Sequence, residues 1–174
     1  MADIAGCVER LLDRFHIDRP PVPVDQIAKK LGVLLCPLPA GAEDDISGAI
    51  VRKDNHVVIA VNPAHHSNRQ RFTIAHELGH YFLHEAQVQE HVDQRFSVAW
   101  RKADPSGGVD WLEVEANRFA AELLIPTKFL TRDLDSLDEI ERHTIAVLAS
   151  RYRVSKDAMK FRLTNLGIIG LNEV

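Results

Sequence analysis

Two histidines four residues apart, with a glutamate beside the first, constrain this chain more than any other feature. The segment reads His76-Glu77-Leu78-Gly79-His80. Residues four apart on an α-helix lie one turn above each other on the same face, so the two imidazoles can converge on one metal ion. A carboxylate on that side can accept a proton from a metal-activated water. The spacing therefore predicts a helix with His76 and His80 as zinc ligands and Glu77 as general base.

The rest of this helix is apolar, which argues against a surface helix that happens to carry two exposed histidines. Projected at about 100° per residue, its apolar side chains cover most of the circumference. A single polar stripe remains, and buried polar groups need partners because leaving them unpaired costs free energy. The stripe consists of Thr73, His76, Glu77, His80 and His84. A shared metal ion provides such a partner for the two histidines of the motif.

A catalytic zinc ion usually has three protein ligands, so a third is expected elsewhere in the chain. His84 continues the polar stripe, but it lies two turns from His76. That is about 12 Å along the helix axis, whereas a zinc–nitrogen bond is about 2 Å. We therefore expect His84 to lie behind the ligands or in the wall of the cleft.

A second predicted helix, from Asp110 to Ile125, contains two glutamates that compete for the role of third ligand. One of them belongs to a charged stripe that we expect to be solvated. This stripe consists of Glu115, Arg118 and Glu122. Glu113 faces the opposite side with Asn117, which could orient a ligand by a hydrogen bond. Projection favours Glu113 as the third ligand, with Glu115 as the alternative. In a third interpretation, Glu113 only caps the helix behind Asp110.

Three segments taken together resemble the ImmA/IrrE family of metallo-endopeptidases. They are residues 46–51, residues 69–84 around the motif, and residues 113–126. In combination they are far more specific than H-E-x-x-H alone, and the resemblance covers most of the chain.

The family is similar to gluzincins, in which two histidines and a downstream glutamate hold zinc. The resemblance implies a Zn²⁺ site formed by His76, His80 and Glu113, with Glu77 as the catalytic base. It also implies a zinc-dependent endopeptidase with a specific protein substrate, typically a helix-turn-helix transcriptional repressor of the Xre type.

The overall charge of −4 gives no general attraction to nucleic acid or to anionic membranes. Charged residues occur early in the chain, at Glu9, Arg10, Asp13 and Arg14, before any long apolar run. No signal peptide is therefore predicted, and no segment approaches the roughly 20 apolar residues of a membrane span. We expect a cytoplasmic protein that does not associate with a membrane.

The remaining pattern predicts an α+β fold, a zincin-like metalloprotease domain with a small sheet packed on the motif helix. Strands are expected at Val33–Leu38, Gly48–Arg52 and Val57–Val61, the last two as a hairpin. The segment between His84 and Asp110 is expected to be a long loop or short helical pieces. We assign residues 1–126 to the metallopeptidase domain and residues 127–174 to a helical C-terminal extension docked on it.

The C-terminal extension has a helix-turn-helix-like pattern, which offers a rival function. Helices are expected at Ile140–Tyr152 and Lys156–Leu166, with Ser155 as N-cap of the second. The pair is locally basic, so one alternative is a DNA- or protein-binding regulator whose metal site is only structural. We expect instead that Met159, Leu163 and Leu166 pack on the metalloprotease core and that the protein does not bind DNA directly. Glu77 also argues against a structural metal site, since such a site needs no base. A further alternative function is that of another zinc hydrolase, such as an amidase.

Overall fold

The computed structural model describes residues 3–39, 46–53, 56–84, 90–93, 111–135 and 142–170. Within these residues helices and strands are mixed, so the α+β prediction is confirmed. The helices are α1 (Ile4–Arg14), α2 (Val24–Lys30), α3 (Ser67–Leu83), α4 (Trp111–Leu124), α5 (Thr127–Leu134), α6 (Arg142–Tyr152) and α7 (Lys156–Asn165). The strands are β1 (Val33–Pro37), β2 (Gly48–Lys53), β3 (His56–Val61) and β4 (Glu90–Asp93).

The four strands form one mixed sheet in the order β1-β3-β2-β4. The predicted hairpin of β2 and β3 is confirmed, with Gly48 opposite Val61 in an antiparallel ladder. β1 runs parallel to β3, and β4 runs antiparallel to β2. Sequence analysis missed β4, because four residues with an acid at each end show neither the alternation nor the β-branched content of a strand.

The sheet positions the motif helix, since α3 packs against β2 and β3. Gly48 allows β2 to lie close to this helix. A Cβ atom at Gly48 would lie 2.9 Å from the Ala60 carbonyl oxygen and would collide with the methyl group of Thr73 on α3. The same Cβ would be 3.6 Å from Oε1 of Glu77. The backbone of β2 therefore runs directly beside the glutamate of the motif.

The described residues group into two compact units. One lies within Pro23–Ala120, and the other within Asp3–Val22 and Ala121–Val174. Helix α1 groups with the C-terminal helices in the second unit, where Lys128 of α5 lies 3.6 Å from Glu9 of α1. The domain boundaries 1–126 and 127–174 themselves stay a prediction.

In the part of the second unit that the structure describes, an apolar core is accompanied by two polar clusters. Met159 and Leu163 are fully buried, as their spacing predicted, whereas Leu166 of the same predicted stripe is only half-buried. Ser155 accepts a hydrogen bond from the Ala158 amide (3.1 Å), which confirms it as the N-cap of α7. The core includes Val8, Leu11, Leu12, Phe129, Leu130, Ile145, Leu148, Ala149, Tyr152, Met159 and Leu163. Among the described residues no helix has the length and apolar character that crossing a bilayer requires.

One polar cluster corrects the expectation that Glu122 belongs to a solvated stripe. The side chains of Glu122 and Arg162 are only 13% and 11% exposed, and they form an ion pair. Thr127 donates hydrogen bonds from its backbone amide and its hydroxyl to Glu122, at 2.9 and 3.0 Å.

In the second cluster, Tyr152 donates a hydrogen bond to Asp133 (2.9 Å). Burial, and then this bond, raise the pKa of Tyr152.

Candidate metal centre

The motif is helical and almost completely buried, as the sequence predicted. Helix α3 carries all three polar residues of H-E-x-x-H, and His76, Glu77 and His80 are 1%, 0% and 0% exposed. Buried imidazoles and carboxylates are costly unless another group compensates them. The helix begins after His66, whose ring accepts a hydrogen bond from the Asn68 amide, and it ends before His84.

Three side chains converge on one point. His76 Nε2 and His80 Nε2 lie 3.0 Å apart. Glu113 places Oε2 at 3.3 Å from His76 Nε2 and Oε1 at 3.0 Å from His80 Nε2. Two ligand atoms of a tetrahedral zinc ion, with bonds of about 2.0–2.2 Å, are separated by roughly 3.3 Å. The spacing of these atoms therefore suits a zinc ion held between them.

The hydrogen bond behind His76 also indicates a metal ion between these atoms. His76 Nδ1 lies 3.1 Å from Oδ1 of Asn117, an amide oxygen that can only accept. His76 Nδ1 therefore carries the hydrogen, and in the neutral ring Nε2 presents a lone pair to the common point. A carboxylate and an imidazole lone pair facing each other repel, and a cation between them removes that repulsion. The chemistry of this donor set fits a divalent metal ion.

Glu113 reaches this point because α4 passes very close to α3 at Gly79. A Cβ atom at Gly79 would lie 2.9 Å from Cα and 3.0 Å from the carbonyl oxygen of Ala116. The rings of Phe82 and Phe119 stack nearby, with centroids 5.6 Å apart. The glycine inside the motif thus permits a backbone approach that brings Glu113 to the histidines.

The structure distinguishes the two glutamates of α4. Among the described residues that could share a metal ion, Glu113 groups with His76 and His80, whereas Glu115 does not. Glu115 was expected in a solvated stripe, but Oε2 lies 3.2 Å from Nε2 of His84 and the side chain is only 22% exposed. Of the predicted solvated stripe, only Arg118 is exposed. Asp110, the candidate N-cap, lies outside the described residues.

Sequence reasoning missed the partnership of His84 with Glu115. The four-residue spacing placed His84 correctly behind His80, and the two rings lie 3.1 Å apart between their Nδ1 atoms. Its second partner is 31 residues away on another helix. A local pattern carries no signal for that contact, because projection of α4 shows which residues share a face and not what that face meets.

The comparisons with known proteins agree with the geometry. Residues 28–164 match the peptidase family Peptidase_M78, described as the IrrE N-terminal-like domain. Metallopeptidase ImmA of Bacillus subtilis (strain 168) is 32% identical over 98 residues, 56% of this chain and 51% of that protein. The uncharacterized immunity region protein 2 of Bacillus phage phi105 is 28% identical over 123 residues, 71% of this chain and 68% of that protein.

A solved structure supports the fold alone. A Mycobacterium tuberculosis transcriptional regulator superimposes with a TM-score of 0.63 at 18% identity, over 94% of this chain and 47% of that one. The chain thus spans about half the length of both this regulator and ImmA. The family match covers most of the chain and includes the motif and Glu113, which confirms the resemblance found in the sequence. The chain belongs to the ImmA/IrrE family of metallopeptidases.

Proposed function

We propose that this protein is a zinc-dependent endopeptidase in which His76, His80 and Glu113 hold the metal ion and Glu77 is the general base. The observation that supports it most is the convergence of the first three residues beside a fully buried Glu77. A metal site that served only for structure would not need a carboxylate held next to it. The proposal includes the zincin-like character of residues 1–126 and a helix-turn-helix-like extension in residues 127–174.

The residues divide the work of hydrolysis between them. A bound zinc ion supplies Lewis acidity, which lowers the pKa of water and polarises a carbonyl group. Glu77 accepts the proton of the attacking water on a carboxylate oxygen and later donates it to the leaving amine nitrogen. Burial of Glu77 between α3 and the backbone of β2 at Gly48 limits the orientations of that carboxylate.

The proposed substrate is a specific protein, a helix-turn-helix repressor of the Xre type. Family membership supports this substrate, and so does similarity to a phage protein named after an immunity region. A repressor acts on DNA inside the cell, so this substrate places the peptidase in the cytoplasm.

Replacement of Glu77 by glutamine tests the mechanism. We expect Glu77→Gln to fold and to bind one zinc ion per chain, because the amide keeps the shape of the side chain. Cleavage of the cognate repressor should fall at least about 100-fold, since the base is lost. Metal analysis and mass spectrometry of repressor fragments measure the two effects, with Arg118→Ala on the exposed side of α4 as control.

Two results would contradict the proposal. Cleavage at the normal rate by Glu77→Gln would show that this carboxylate is not the base. Wild-type protein that binds zinc without cleaving any repressor encoded beside its gene would favour a regulator with a structural metal site.

A further inference from the structure

A chain of hydrogen-bonding side chains extends from the candidate metal centre into α4. His80 Nδ1, the ring nitrogen facing away from Glu113, lies 3.1 Å from His84 Nδ1. On the far side of the His84 ring, Nε2 lies 3.2 Å from Glu115 Oε2. His84 is 3% exposed, so water cannot easily replace either contact.

The partners assign the direction of each hydrogen bond. Glu115 is a carboxylate and accepts, so the hydrogen of a neutral His84 ring is on Nε2. His84 Nδ1 then has a lone pair and accepts from Nδ1–H of His80. His80 is left with its lone pair on Nε2, the nitrogen that lies 3.0 Å from Glu113 Oε1. Each hydrogen bond thus determines the next, from Glu115 to the nitrogen that faces the metal position.

We propose that His84 and Glu115 are a positioning pair that fixes His80 in the tautomer and orientation required to bind zinc. The inference rests on the proposed metal site and adds two residues to it. Neither residue is a zinc ligand in this arrangement. His84 contacts Nδ1 of His80, the nitrogen that faces away from the metal position, and Glu115 lies on the far side of His84. The effect on the metal is indirect, through the orientation and basicity of the His80 ring.

The two ligand histidines are then supported in different ways. Asn117 contacts His76 Nδ1 with a neutral amide, whereas Glu115 is a carboxylate that acts through a second imidazole. A carboxylate behind a ligand imidazole makes the imidazole a stronger donor to the metal. Placing His84 between them allows Glu115, on α4, to act on a ligand of α3.

Zinc affinity of the purified chain, measured by competition with a chromophoric chelator, tests the positioning role. His84→Phe keeps a buried ring but removes the acceptor, and we expect a loss of affinity of roughly 10- to 100-fold. His84→Gln retains an acceptor oxygen for Nδ1–H of His80 and should recover a large part of that loss. His143→Phe, a matched change at an exposed histidine of α6, should bind zinc like the wild type.

A double-mutant cycle tests whether Glu115 acts through His84. Glu115→Ala alone should weaken zinc binding about tenfold, at the lower end of the range for such supporting groups. In the His84→Phe background the same change should have no further effect, because the connection to His80 is already broken. Circular dichroism before metal addition checks that each variant is folded.

The outcomes separate this inference from the proposed function. If wild-type protein binds no zinc, or if His80→Ala binds as tightly as the wild type, the proposed metal site is wrong. If His80→Ala loses zinc while folded His84→Phe binds like the wild type, the metal site stands and the positioning pair is overturned. Additive losses from His84→Phe and Glu115→Ala would also overturn it, since independent effects exclude action in series.

Discussion

At the scale of residues, the site places two buried imidazoles and the buried carboxylate of Glu77 near a second carboxylate, Glu113, whose side chain is 29% exposed. His76, His80 and Glu77 are at most 1% exposed, so burial would be strongly unfavourable without compensating groups. Asn117 and His84 supply neutral partners for the outer ring nitrogens. The inner nitrogens face Glu113, and a cation bound between them would satisfy all three side chains together.

Substitution of the two glutamates of α4 separates a ligand from a supporting residue. We expect Glu113→Ala to lose zinc with an affinity decrease beyond the roughly 100-fold limit typical of supporting groups. Glu115→Ala should still bind one zinc ion per chain when zinc is in excess. Inductively coupled plasma mass spectrometry after dialysis measures both. Retention of zinc by Glu113→Ala together with its loss from Glu115→Ala would reverse the assignment of the third ligand.

At the scale of elements, periodicity predicted the features that are local. The four-residue spacing predicted α3 with both histidines on one face, and the projection of Asp110–Ile125 identified the side of α4 that carries Glu113 and Asn117. The hairpin of β2 and β3 was equally local. Apart from the approach of Glu113 to the histidines, which ligand chemistry and the family resemblance indicated, contacts between distant elements could not be predicted, because a pattern shows that a face is buried and not what buries it. The pairing of Glu122 with Arg162, across 40 residues, is one such contact.

Helices α3 and α4 approach closely at Gly79, so substitution of this glycine tests whether the packing of the two helices positions the metal site. Gly79→Ala adds a methyl group 2.9 Å from Ala116 Cα, so α4 must move. We expect the free energy of unfolding to fall by about 1–3 kcal/mol. Zinc affinity should fall as well, since α4 carries Glu113. Urea denaturation and chelator competition measure the two effects.

A second substitution shows whether the backbone is the obstacle. Ala116→Gly removes only the Ala116 side chain, whereas the new methyl group at Gly79 would also meet Ala116 Cα and its carbonyl oxygen. The double variant that combines Gly79→Ala with Ala116→Gly should therefore still bind zinc weakly. Full recovery of zinc affinity would show that contact between side chains, and not the backbone approach, sets the distance between the helices.

At the scale of the whole molecule, net charge and internal ion pairs decide how much basic surface is available to a partner. The chain has a net charge of −4. In the C-terminal helices Arg162 is bound to Glu122, and Arg151 Nε lies 2.8 Å from Asp133. Arg153 and Lys156 are exposed at the turn before α7. The ion pairs of Arg162 and Arg151 leave helices α6 and α7 less basic than their composition indicates.

We therefore predict that the protein does not bind DNA in a sequence-selective way. Binding driven by phosphate contacts weakens about 1,000-fold or more between roughly 50 and 200 mM salt, which gel-shift titrations with promoter DNA detect readily. Tight, selective and salt-sensitive binding would contradict the prediction and favour a regulator.

Charge reversal at Arg153 and Lys156 identifies the role of the two exposed cations. Slower repressor cleavage at unchanged zinc content would indicate a docking patch for an acidic surface of the substrate, whereas an unchanged rate would assign both residues to a solvated face.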